Sequence, residues 1–186
     1  MSLDSIIADS GEKMEQSVEF LKKEYSTMRT SRAAPSLLDR ITVDYYGTET
    51  PLHHVASISA PDPKTILIQP WEKTLLGEIE KAIQKSDLGL NPINDGHFIR
   101  LPIPPLTEER RADLAKTCRK KAEEFRIAVR NVRRDANDAL KTLEKKSEIT
   151  QDECKKAVER IQKLTDENVE KINKILDAKE KEIMGK

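Results

Sequence analysis

Residues 107–146, TEERRADLAKTCRKKAEEFRIAVRNVRRDANDALKTLEKK, decide the fold. The stretch holds neither proline nor glycine. Inside a helix those residues cost about 3 and about 1 kcal/mol relative to alanine. Leu114, Cys118, Ala122, Phe125, Val129, Val132, Ala136, Leu140 and Leu143 recur at steps of three and four. That period places them on one face of a single long helix. Thr107 is a side-chain cap, and Glu108 and Glu109 suit a first turn where the helix dipole is positive. The helix is expected to stop near Lys146.

Working downstream, residues 147–153 read as a turn followed by a capping box, with Thr150 and Glu153 as the reciprocal pair. A further helix then carries Val158, Ile161, Leu164, Ile172, Ile175 and Ile183. Working upstream, residues 1–34 also lack proline, and one helix is predicted from about Leu3 to Met28. Its apolar seam is Ile7, Met14, Val18, Leu21, Tyr25 and Met28. Three striped helices require each other to bury their seams, which predicts an antiparallel bundle.

All nine prolines fall between Pro35 and Pro105, with four of the six glycines in the same region. That segment is therefore not a helical continuation. Ile41, Val43 and Tyr45 alternate with Thr42 and Asp44, a strand pattern that ends in a turn at Gly47. Residues 55–58, 65–68 and 98–103 read as further strands, and 74–85 as a short helix. The fold class is α+β: a long antiparallel three-helix bundle with an inserted small β/α/β module. The expected division is 1–29 with 107–186 for the bundle and 30–106 for the insert. Two chain crossings close together make a hinge, at Thr30, Ser31, Ala33 and Ala34 on entry and at Pro104 and Pro105 on exit.

Composition argues against several classes of function. Net charge is zero, charged residues are 35% and aromatics only 4%. This suits long solvated helices rather than an aromatic-rich enzyme. No apolar run is long enough to span a bilayer, and the first residues do not read as a signal peptide, so the cytoplasm is the expected compartment. Phosphate-loop, zinc-protease, paired-cysteine and serine-hydrolase motifs are absent. His53, His54 and His97 read as solvated loop residues rather than metal ligands. Cys118 and Cys154 fall on helix stripes as small buried hydrophobes. No enzyme activity, cofactor or metal is expected.

Local charge is uneven. Residues 107–134 contain ten Lys or Arg against five acids, an excess of five positive charges. Arg119, Arg126, Arg130 and Arg133 follow at steps of seven, four and three, within roughly a 60° sector of the helix. The sector flanks the apolar seam. Guanidinium forks match phosphate bidentately, so an open ridge of four could follow a nucleic-acid backbone. The competing reading is a solvated face whose arginines pair with acids of the neighbouring helices. No aromatics interleave with the arginines, so phosphate tracking on folded RNA fits better than base stacking.

Residues 29–39 (RTSRAAPSLLD), 45–48 (YYGT), 86–92 (SDLGLNP), 104–111 (PPLTEERR) and 129–136 (VRNVRRDA) together resemble the bacterial ribosome recycling factors, and the likeness covers nearly the whole chain. The resemblance implies an L-shaped monomer of about tRNA size. It implies binding to the large ribosomal subunit through rRNA contacts of the basic helix face. It also implies action with elongation factor G, whose GTP hydrolysis helps split subunits and release mRNA and deacylated tRNA. The matching arginines are Arg111, Arg130 and Arg133, with Arg29 and Arg32 near the hinge. Many members carry glycine where this chain has Ser31, which bears on how freely the hinge bends. Two alternatives stand beside this reading. A coiled-coil adaptor would oligomerise, and an RNA-modifying enzyme would need a cofactor pocket.

Overall fold

The computed structural model describes residues 1–30 and 32–185. Ser31, one of the expected hinge residues, lies outside the described residues. Three long helices account for most of the chain: α1 (Leu3–Ser26), α3 (Glu108–Lys145) and α4 (Gln151–Met184). A shorter helix, α2 (Leu76–Lys85), belongs to the intervening segment with six strands. The mixed α+β class with a long helical bundle agrees with the sequence reading.

The chain forms two compact units. One comprises Met1–Tyr25 and Asp113–Glu180; the other comprises Ser26–Ala112 and Lys181–Lys186. In the first, α3 and α4 run antiparallel. Arg119 meets Glu180, Arg126 meets Asn173 and Arg133 meets Gln162, so numbers rise along one helix as they fall along the other. Helix α1 lies antiparallel to α3. Its Tyr25 hydroxyl donates to the Cys118 carbonyl at 2.6 Å, and its Glu24 accepts from Lys121 at 2.7 Å. Met14, Val18, Leu21, Cys118, Ala122, Val129, Leu140, Ile161 and Ile172 are buried in this core.

The α4 seam differs by position from the hydropathy reading. The buried series is Cys154, Ala157, Ile161, Thr165, Asn168, Ile172, Leu176, Lys179 and Ile183. Val158, Leu164 and Ile175 lie at its flank, only partly buried. Thr165 and Asn168 fill turns of the seam with their donors satisfied along the helix itself. The Thr165 hydroxyl donates to the Ile161 carbonyl at 2.8 Å, and the Asn168 amide to the Leu164 carbonyl at 2.8 Å. A scan that counts only apolar side chains passes over them.

Local chemistry fixes the helix ends. The Thr107 hydroxyl accepts from the Arg110 amide at 3.1 Å. The Thr150–Glu153 box forms as expected: Thr150 N–H donates to the Glu153 carboxylate at 2.7 Å, and Glu153 N–H to the Thr150 hydroxyl at 3.1 Å. Between these helices the chain reverses at Ser147, with φ +57°. Glu148 N–H reaches back to the Leu143 carbonyl at 2.9 Å, and Ser147 N–H to Glu144 at 2.9 Å. Such a left-handed closure favours glycine. Ser147→Gly is expected to stabilise the fold by about 1 kcal/mol in denaturant melts, since the Cβ penalty is removed.

Burial of Cys118 and Tyr25 has a consequence at high pH. Desolvation raises the Cys118 thiol from 9.0 to about 11, with Cys118 itself fully buried. Desolvation also raises the Tyr25 phenol. Both groups are neutral when folded and lose protons more readily when unfolded. Their contribution to stability is therefore complete below pH 9 and is lost as pH rises towards 11. Thermal melts are expected to hold level from pH 7 to 8.5 and fall between pH 9 and 11. Cys118→Ala should shrink that fall.

The second unit holds two antiparallel sheets. Strands β1 (Thr42–Tyr45) and β2 (Thr48–Pro51) form a hairpin. Strands β3 (Ala56–Asp62), β4 (Thr65–Pro70), β5 (Ile93–Asn94) and β6 (Ile99–Pro102) form a sheet in the order β3-β4-β6-β5. The hairpin turn places positive φ at both Tyr46 (+51°) and Gly47 (+82°), the geometry that matches strand twist. Leu38, Leu52, Ile66, Ile68, Ile79, Ile83, Ile99 and Leu101 make a separate core. Strands β2 and β5 were not foreseen. β2 reads Thr48-Glu49-Thr50-Pro51, with no apolar alternation, and β5 is only two residues long.

Candidate nucleic-acid interface

Arg119, Arg130, Arg133 and Arg134 of α3 keep part of their side chains in solvent, and each has a side-chain partner. Arg119 Nε donates to Glu180 at 2.6 Å, yet its side chain remains 65% exposed. Arg130 Nη1 lies 3.5 Å from Glu123 Oε1, with 46% of the side chain exposed. Arg133 Nη1 donates to the neutral Gln162 Oε1 at 3.2 Å. Gln162 in turn donates to Asp166 at 2.9 Å. Arg134 donates to Asn131 one turn back along the same helix. The exposed contacts are weak holds, since solvent screens surface ion pairs to about 0–1 kcal/mol.

Arg126 is placed differently. Its Nε donates to Asn173 Oδ1 at 2.8 Å and its Nη1 to Glu123 Oε2 at 2.9 Å. Only 19% of the side chain is exposed. The guanidinium joins α3 to α4 through Asn173, and two of its five N–H donors are engaged within the protein. Arg111 is half-buried, and its Nη1 lies 3.5 Å from the Met184 carbonyl, at the last turn of α4. A cation there complements the carbonyl end of that helix.

Near the chain crossings, Arg29 donates from Nη2 to the Pro104 carbonyl at 2.9 Å, tying the entering segment to the leaving one. Partial burial lowers its pKa from the ordinary value, with Arg110 adding repulsion. The Thr30 hydroxyl is buried and accepts from the Arg32 amide at 3.3 Å. Arg32 is exposed, and its guanidinium makes no ion pair among the described residues. Ala33 and Ala34 are partly buried against the core of the second unit, and the Ala33 amide donates to the Pro63 carbonyl at 2.8 Å. Pro104 and Pro105 are exposed.

The five described positions of the expected hinge lie on the two segments that the Arg29–Pro104 hydrogen bond ties together. The seven arginines do not form one uniform surface. Arg119, Arg130 and Arg133 present outward donors, Arg126 and Arg111 are drawn against α4, and Arg29 is tied to the crossing. The sequence pattern missed the holders Glu123, Asn173, Gln162 and Glu180. Glu123 carried a signal, standing three residues before Arg126 and seven before Arg130. The amides carried none, because pairing across helices depends on their register.

His53 and His54 are exposed neighbours in a short turn. No group of three or more His, Cys, Asp or Glu suited to a metal ion occurs among the described residues. No helix of the described residues is long and apolar enough to cross a membrane.

The sequence model for ribosome recycling factor matches residues 21–184. The chain is 57% identical over 184 residues to the ribosome-recycling factor of Nitratidesulfovibrio vulgaris (strain DP4), covering 99% of each. It is 53% identical over 179 residues to that of Bacillus subtilis (strain 168), covering 96% of this chain and 97% of the relative. A solution structure of the ribosome recycling factor superposes with a TM-score of 0.81 at 44% identity, covering 100% of this chain and 99% of that one. A second solved structure matches with a TM-score of 0.70 at 46% identity over 100% of both chains. It describes the T. thermophilus ribosome recycling factor and the E. coli elongation factor G bound to the E. coli post-termination complex. With a family match over most of its length and relatives more than half identical from end to end, this chain belongs to the ribosome recycling factors.

Proposed function

We propose that this chain binds the post-termination ribosome on its large subunit and recycles it together with elongation factor G. As a ribosome recycling factor it is a translation factor rather than an enzyme. GTP hydrolysis by the partner supplies the energy for subunit splitting and for release of mRNA and deacylated tRNA. The chain acts as a monomer in the cytoplasm.

The observation that carries this reading is the outward set of arginine donors on a long rigid helix, in a chain whose relatives carry that role by name. Helix α3 has 38 residues and spans about 57 Å at 1.5 Å per residue. A rod of that length can engage several successive phosphates. Arg119, Arg130 and Arg133 are the direct rRNA ligands in this proposal, with Arg32 near the crossing. Arg111, Arg126 and Arg29 reach phosphate only through donors their protein partners leave open. The insert, taken as residues 30–106, carries the surface for the GTPase. The crossings at Thr30, Ser31, Ala33, Ala34, Pro104 and Pro105 serve as its hinge.

The test is polysome breakdown. The purified chain, elongation factor G and GTP are expected to convert polysomes to free subunits or monosomes. Omission of either factor, or replacement of GTP by a non-hydrolysable analogue, should abolish the conversion. Breakdown that proceeds equally without this chain would contradict the proposal.

A further inference from the structure

The Glu123 carboxylate is engaged on both sides by arginines, with unequal strength. Its Oε2 lies 2.9 Å from Nη1 of the mostly buried Arg126, and its Oε1 lies 3.5 Å from Nη1 of the exposed Arg130. Arg126 is fixed from its other side by Asn173 at 2.8 Å. The short, sheltered contact anchors the carboxylate to the bundle, while the long one sits in water and is easily exchanged. Glu123 therefore stays in place beside Arg130 whether or not the longer contact is made.

We propose that Glu123 is a specificity-determining residue of the arginine ridge, a fixed counter-charge that weakens capture of stray phosphates by Arg130. The inference rests on the reading that the outer face of α3 binds rRNA phosphates. Arg130 uses only Nη1 within the protein; its Nε and Nη2 edge makes no bond among the described residues. That edge can take a phosphate bidentately. The nearby carboxylate repels the same phosphate. A backbone that touches Arg130 alone bears the full penalty. An RNA surface held in register by Arg119 and Arg133 as well can present its phosphate to the Nε and Nη2 edge, away from the carboxylate on Nη1, and so bears less of it. Glu123 thus favours a matching folded surface over a generic polyanion.

A double-mutant cycle on an unrelated RNA duplex tests the idea, with Glu124→Gln as a control of equal charge change. Glu124 is exposed and makes no ion pair among the described residues. Glutamine at 123 keeps an acceptor for Arg126, so the helix pair should remain intact. Glu123→Gln is expected to tighten duplex binding by about three- to fivefold, the scale of one surface ion pair. Glu124→Gln should change it by less than about twofold, as should Glu123→Gln in an Arg130→Gln background. Binding to isolated large subunits should gain less than binding to duplex, so discrimination falls. Equal gains for the two glutamine variants, or an undiminished gain without Arg130, would overturn the proposal. Failure of the wild-type chain to prefer large subunits over duplex would instead count against the functional reading. The duplex cycle would still report on Glu123.

Discussion

Replacing Arg130 and Arg133 together by alanine is expected to weaken binding to large ribosomal subunits by about a hundredfold or more, with little change in folding stability. Each guanidinium offers charged hydrogen bonds worth about 1–3 kcal/mol when a phosphate accepts them. The protein itself gives little back. Arg133 is held by one neutral amide at 3.2 Å, and Arg130 by a carboxylate at 3.5 Å. Exposed contacts of that kind cost only a few tenths of a kcal/mol when lost. Filter binding or fluorescence anisotropy with isolated subunits, paired with thermal melts, separates the two quantities. Arg126→Ala should behave in the opposite way. It leaves Glu123 and Asn173 without their shared donor and should lower the melting temperature.

Ile161→Ala should have the largest effect on stability. Ile161 is fully buried in the bundle, one turn before the buried Thr165. Removing its branched side chain loses transfer energy and leaves a cavity, at a cost of about 2–5 kcal/mol. For a chain of this size that corresponds to a melting temperature lower by roughly 5–15 °C. The second unit has its own core around Ile66, Ile79 and Leu101. The helical signal at 222 nm should therefore melt earlier, while near-ultraviolet signals from Trp71 in the second unit respond less. Equal shifts in both signals would mean that the two units unfold as one.

Much of the fold was legible because helix signals are local. Proline and glycine exclusion, the Thr107 cap and the Thr150–Glu153 box depend on residues at most a few positions apart. The α4 seam was harder. Thr165, Asn168 and Lys179 occupy buried positions that hydropathy assigns to solvent. Strands β2 and β5 escaped notice because pairing to β1 and β6 defines them rather than their own composition. At the candidate interface the helical period gathered four arginines on one sector. Which of them would turn inward depended on α4. Arg126 lies opposite Asn173 and Arg133 opposite Gln162, and that register is set by packing across the whole bundle.

The most direct measurement is the salt dependence of binding to isolated large subunits. Phosphate contacts release counterions, so the logarithm of the binding constant should fall linearly with the logarithm of salt concentration. The account predicts a steep negative slope for the wild-type chain. It also predicts a slope shallower by about 2 for the Arg130→Ala, Arg133→Ala variant, roughly one for each lost phosphate contact. A wild-type affinity that ignores salt, or a slope unchanged by removal of both arginines, would contradict it.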